Sequence, residues 1–87
     1  MIKLIDFYAD WCGPCQVMKP IFEELKTEMK DKVEFVQVNV DSDSATAQKY
    51  GVMSIPTFVI EKDGAEASRK IGALSKDAFA SWINSSL

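Results

Sequence analysis

A chain of 87 residues, 47% hydrophobic and 26% charged, has the balance of one small globular domain, residues 1–87, with a single modest core. Its formal net charge is −3 and its ten Lys and Arg residues are scattered, so it carries no nucleic-acid footprint and no polybasic membrane patch. It has no histidine and only two cysteines, Cys12 and Cys15, which excludes a zinc site with four nitrogen or sulfur ligands built from this chain alone. The opening Met1-Ile2-Lys3-Leu4-Ile5 meets Asp6 too soon for the core of a secretory signal, and no apolar run reaches membrane-spanning length. The expectation is a soluble cytoplasmic protein. Thiols there are kept mostly reduced, and a Cys-x-x-Cys pair is catalytic more often than structural.

In chain order, Lys3 to Ala9 predicts a strand. Leu4, Ile5, Phe7 and Tyr8 make it nearly continuous in apolar residues, as in a central strand covered on both faces. Pro14 suits the first turn of a helix, where its missing N–H costs nothing. Val17, Met18, Ile21, Phe22, Leu25 and Met29 then fall on one helical face, with Lys19, Glu23, Lys26 and Lys30 toward solvent. Pro20 is expected to kink this helix without ending it, because the periodicity runs on past it. Val33 to Val40 predicts a second strand, and strand, helix and strand in that order imply a right-handed parallel unit.

Asp41 to Ser44 offers N-caps for a short helix ending near Tyr50-Gly51, with Gly51 as its C-cap. Thr57 to Glu61 predicts a third strand, joined through the hairpin signal Asp63-Gly64 to a fourth at about Ala67 to Ile71. Ser75 caps a final helix in which Phe79, Trp82, Ile83 and Leu87 share a face and Asp77 meets the positive dipole end. The order is βαβαββα, an α/β fold with a four-stranded mixed sheet and three helices on both faces. Phe22, Phe35, Phe58, Phe79 and Trp82 are assigned to the core.

The chemistry sits in Trp11-Cys12-Gly13-Pro14-Cys15, where a strand gives way to a helix. A Cys-x-x-Cys pair at such a junction is built to form and break a disulfide. The other reading, a static staple, gains little because so short a loop barely restricts the unfolded chain. At the helix start the unsatisfied N–H groups and the dipole favour a thiolate at Cys12. Cys15, one turn on, is expected closer to the core. Cys12 would then attack a substrate disulfide, and Cys15 would attack the resulting mixed disulfide. Gly13 lets a partner backbone approach, and Pro14 stiffens the turn.

Asp6 interrupts an otherwise buried strand. Burial would raise its pKa and let it accept a proton from Cys15; the alternative is a salt bridge to a lysine or a partly exposed position. Ile55-Pro56-Thr57 puts a proline at the entrance to a central strand, which a cis bond or a simple turn would accommodate. Trp11 either offers apolar area to a partner or packs in the core.

These residues resemble a known family. Asp6-Phe7-Tyr8-Ala9-Asp10-Trp11-Cys12-Gly13-Pro14-Cys15 is similar to the active-site segment of the thioredoxin family. The similarity extends through Pro20, Asn39-Val40-Asp41, Ile55-Pro56-Thr57, Lys62-Asp63-Gly64 and Ile71-Gly72-Ala73, over essentially the whole chain. The resemblance implies a thioredoxin-like fold, a cis Ile55–Pro56 bond and no bound cofactor. It also implies a disulfide reductase for disulfide-containing protein substrates, re-reduced by a thioredoxin reductase. An apolar docking groove of Trp11, Gly13, Pro14, Val40, Ile55, Pro56, Ile71, Gly72 and Ala73 goes with it.

The chain departs from the pattern in three ways. The family's usual first strand and helix have no counterpart, so it resembles the shortened members. The strand Val33 to Val40 is therefore expected at a sheet edge, protected by Lys32, Glu34, Gln37, Asn39 and Asp41, and the protein is expected to be a monomer. Gln37 stands where a lysine often supports the buried aspartate, and Tyr8 where tryptophan is common. Competing functions are a glutathione-dependent, glutaredoxin-like reductase, a disulfide oxidase or isomerase, and a non-catalytic binding subunit using the same scaffold. Glutaredoxin-like enzymes usually carry proline and tyrosine between the cysteines. Oxidases and isomerases usually carry a histidine there and a secretory signal.

Overall fold

A computed structural model describes residues 1–87. Seven elements follow one another: β1 (Ile2–Tyr8), α1 (Gly13–Met29), β2 (Val33–Asn39), α2 (Ser44–Lys49), β3 (Thr57–Lys62), β4 (Ala65–Ile71) and α3 (Lys76–Asn84). They form one four-stranded sheet in the order β2-β1-β3-β4, with β1 parallel to β2 and antiparallel to β3, and β3 antiparallel to β4. This is the expected βαβαββα order.

β1 lies inside the sheet because its side chains can be buried on both faces. Leu4 and Phe7 are fully buried, and Ile2 and Ile5 nearly so. Ile2 and Leu4 join the cluster that α1 and α3 cover, with Met18, Phe22, Leu25, Phe58, Phe79 and Ile83. Ile5 and Phe7 face the other way, toward Val59 and the α2 residue Ala47. Alternation along one strand thus feeds two cores.

Local signals account for the element ends. The Asp43 carboxylate accepts the Thr46 N–H at 3.2 Å and the Ser75 hydroxyl accepts the Ala78 N–H at 3.1 Å, capping α2 and α3. Gly51 follows α2 at φ +64°, the left-handed conformation that terminates helices. Asp63 and Gly64 have φ of 54° and 82°, the pair of positive values that a two-residue hairpin turn requires. α1 runs through Pro20 to Met29.

Three side chains depart from the sequence reading. Val17 is 60% exposed. The buried positions Cys15, Met18, Phe22, Leu25 and Met29 form a stripe that Val17, roughly 100° round from Met18, does not share. Phe35, assigned to the core, lies on the edge strand and is half-buried against it. Leu87 lies beyond α3 and is 50% exposed. β4 also begins earlier than expected. Ile60 pairs with Ser68 but Glu61 with Glu66, so Ala67 is an extra residue, a β-bulge.

Candidate active site

Cys12 is the N-cap of α1, in extended conformation (φ −85°, ψ 113°). Its Sγ accepts the Cys15 N–H at 3.2 Å, one of the backbone donors left free at a helix start. Pro14 fills the first turn, and the loop before it is held by Gln16 Nε2 donating to the Asp10 carbonyl at 3.0 Å. The two cysteines are joined as a disulfide across a Cα separation of 5.2 Å. Cys15 does not lie deeper than Cys12, contrary to expectation: they are 6% and 4% exposed. Both pack with Ala9, and Tyr8, Val40 and Ile55 close the cluster. What distinguishes them is the side to which each opens.

Cys12 borders an open apolar groove of about 480 Å³, lined by Trp11, Gly13, Pro14, Val40, Ala47, Val52, Met53, Ser54 and Ile55. Cys15 borders a smaller polar cavity of about 100 Å³ with Asp6, Tyr8, Asp10, Gln16, Lys19 and Gln37. The disulfide is the partition between them. Of the groove residues expected from sequence, Trp11, Gly13, Pro14, Val40 and Ile55 come together here. Pro56, Ile71, Gly72 and Ala73 do not line this groove. They sit just beyond it, where the Gly72 N–H donates to the Pro56 carbonyl at 2.8 Å, and Ile71 is 63% exposed. The Ile55–Pro56 bond is cis, and Thr57 Oγ1 ties the start of β3 to this loop through the Ser54 carbonyl at 2.6 Å.

Trp11 is 71% exposed, with its indole N–H donating to Asp41 Oδ2 at 2.8 Å. The ring therefore stands as a fixed wall of the groove rather than as core. Sequence reasoning missed Ala47, Val52, Ser54 and above all Met53, which is 97% exposed. The available signal was a large apolar residue in a short loop, three positions before Pro56, with no strand or helix to bury it.

Asp6 is 4% exposed, and no hydrogen-bond partner reaches its Oδ1. It forms none of the ion pairs in the structure, which involve Glu24, Glu28, Glu66, Arg69 and Lys76. The lysine alternative therefore does not hold. Burial raises its pKa from 3.8 to about 6, the neighbouring Gln37 side chain opposing part of the rise.

The comparisons agree with this geometry. The family model Thioredoxin matches residues 1–85. The chain is 45% identical over 86 residues to a thioredoxin from Bacillus subtilis, covering 99% of this chain and 83% of that one. It is 47% identical over 83 residues to a thioredoxin from Rhodospirillum rubrum, covering 95% and 80%. The fold also superposes on a solved structure, a point mutant of a thioredoxin from Halobacterium salinarum, with a TM-score of 0.89 and 38% identity, covering 97% of this chain and 73% of that one. The chain belongs to the thioredoxin family and, with Cys12 and Cys15 at disulfide distance, is a thiol–disulfide oxidoreductase of the protein-disulfide reductase kind.

Proposed function

We propose that Cys12 is the attacking cysteine, Cys15 the resolving one and Asp6 the proton acceptor. The observation that carries this reading is the partition of the two sulfurs. Cys12 borders the apolar groove and receives a backbone N–H, whereas Cys15 shares a polar cavity with the buried carboxylate. In the reduced protein the Cys12 thiolate attacks one sulfur of a substrate disulfide and expels the other as a thiolate. The mixed disulfide so formed is attacked by Cys15, whose proton passes to Asp6. A bond forms between the two enzyme sulfurs, the substrate leaves with both sulfurs reduced, and the enzyme is left oxidised by two electrons.

The substrates in this reading are disulfide-containing proteins, docked on Trp11, Gly13, Pro14, Val40 and Ile55, with Pro56, Ile71, Gly72 and Ala73 extending the surface. A thioredoxin reductase returns the two electrons. The protein acts as a cytoplasmic monomer; no helix is long and apolar enough to cross a membrane.

Reduction of insulin interchain disulfides tests the roles. Cys12→Ser should be inactive, and Cys15→Ser should accumulate mixed disulfides through Cys12. Trapping through Cys15 in Cys12→Ser reverses the assignment. A coupled assay comparing NADPH plus a thioredoxin reductase with glutathione identifies the electron donor.

A further inference from the structure

We propose that Arg69, acting with Glu66 through Tyr50, is a positioning residue that holds one wall of the apolar groove in its partner-accepting shape. The inference rests on the groove being the docking surface. Ala47, Val52, Met53, Ser54 and Ile55 make up half of the groove lining, and all come from α2 and the loop after it. A helix of six residues is too short to be stable by itself, so its position depends on tertiary ties. Tyr50, between α2 and the loop, carries those ties.

Arg69 Nη2 donates to the Tyr50 carbonyl at 2.6 Å. That carbonyl sits at the C-terminal end of α2, where helix geometry leaves acceptors without partners. The same guanidinium is gripped by both Glu66 oxygens, each at 2.8 Å, which fixes its plane. At its other end the Tyr50 hydroxyl donates to Glu61 Oε2 at 2.6 Å, and its ring packs on Phe7 with centroids 5.4 Å apart. The backbone that continues into the groove is then closed by the Gly51 and Val52 N–H groups, which donate to Gln48 and Ala47 at 3.0 Å each.

Residues three apart on a strand normally face opposite sides of the sheet. The bulge at Ala67 removes that alternation, so Glu66 and Arg69 share the α2 side with Glu61. Arg69 is not among the groove-lining residues and acts only through Tyr50.

The test uses the reduced protein in single-turnover reduction of insulin and of a small disulfide, cystamine. Arg69→Met keeps the aliphatic stem but removes the fork. It should raise the half-saturating insulin concentration about five- to tenfold, as expected for a residue that acts on the docking surface only through a neighbour, while leaving the limiting rate and the cystamine rate within about twofold. Amide exchange should accelerate at Gly51 and Val52 but not in β1. Arg69→Lys, which cannot grip Glu66 and Tyr50 together, should lie between. Lys76→Met, which breaks the ion pairs to Glu24 and Glu28, controls for destabilisation remote from the groove and should leave insulin half-saturation unchanged. Trp11→Ala reports on the groove itself. If it raises half-saturation while Arg69→Met does not, the positioning role is overturned and the groove stands. If neither variant changes it, both readings are overturned. An equal fall in the cystamine rate for Arg69→Met would mark general damage and also refute the role.

Discussion

Replacing Asp6 by asparagine should make the protein more stable at neutral pH and slower at its work. The carboxyl is held at 4% exposure with its Oδ1 unpartnered, and burial moves its pKa from 3.8 to about 6. A raised carboxyl pKa means that the folded state prefers the neutral acid. The stability contribution of Asp6 is thus fully present below the unfolded pKa of 3.8 and is lost as pH rises through the folded value of about 6. A tenfold change in proton affinity corresponds to about 1.4 kcal/mol. The displacement from 3.8 to about 6 therefore makes the buried carboxylate cost about 3 kcal/mol at pH 7.5. Asn has nearly the same shape and no charge at any pH. Asp6→Asn should stabilise the fold by about 2–3 kcal/mol at pH 7.5 and by close to nothing at pH 4. Urea melts of both oxidised proteins at pH 4, 6 and 7.5, read as midpoint shifts at constant slope, measure this directly. Insulin turnover should fall in parallel at neutral pH, because in the proposed mechanism Asp6 takes the Cys15 proton and an amide cannot. An Asn variant destabilised at pH 7.5, or a gain that is the same at pH 4, would refute the reasoning and make Asp6 a structural group.

Ser75→Ala removes the acceptor for the Ala78 N–H at the start of α3 and should cost about 1 kcal/mol in a denaturant melt, with turnover unchanged. Gly64→Ala puts a β-carbon at φ +82° and should cost about 1 kcal/mol, mostly by loosening the β3–β4 hairpin. β2 is an open edge of the sheet, yet Lys32, Glu34 and Gln37 on and beside it are exposed. Sedimentation at micromolar concentration should therefore give the mass of one chain, and a dimer paired through β2 would show that these charges and polar groups do not protect the edge.

The features legible in the sequence are those fixed by near neighbours. The Cys-x-x-Cys pair at a helix start, the Asp63-Gly64 turn, the Ser75 cap and the apolar run of β1 each act over a few residues, and each maps onto the observed element. What escapes depends on partners distant in the chain. Val17 reads as a core residue because it stands one turn before Ile21 and two before Leu25, but the sheet reaches only the stripe through Cys15, Met18 and Phe22. Phe35 is a strong strand residue whose burial is limited because β2 has a neighbour on one side alone. The equal burial of the two cysteines follows from Ala9, Val40 and Ile55 closing over both, which no local pattern encodes. The bulge at Ala67 leaves no mark of Gly or Pro in Ala65-Glu66-Ala67-Ser68, so the Glu66–Arg69 pairing is visible only in the folded chain.

The two faces of the sheet are unequally furnished. Twelve buried residues pack between the sheet and the pair α1 and α3, whereas four occupy the α2 side, where the groove lies. Detaching α2 and the loop after it would expose less apolar surface than parting the sheet from α1 and α3, so that opening requires less free energy than global unfolding. Recognition and chemistry then draw on different reserves. A protein partner that settles against this side would restrict the motion that α2 and its loop retain, and that entropy would be subtracted from the affinity. Helix α1, which carries both cysteines at its start, remains anchored on the heavier face. Gentle heating or low denaturant should thus blunt discrimination among protein partners well before it touches exchange with small thiols, leaving over that interval a competent but unselective reductant.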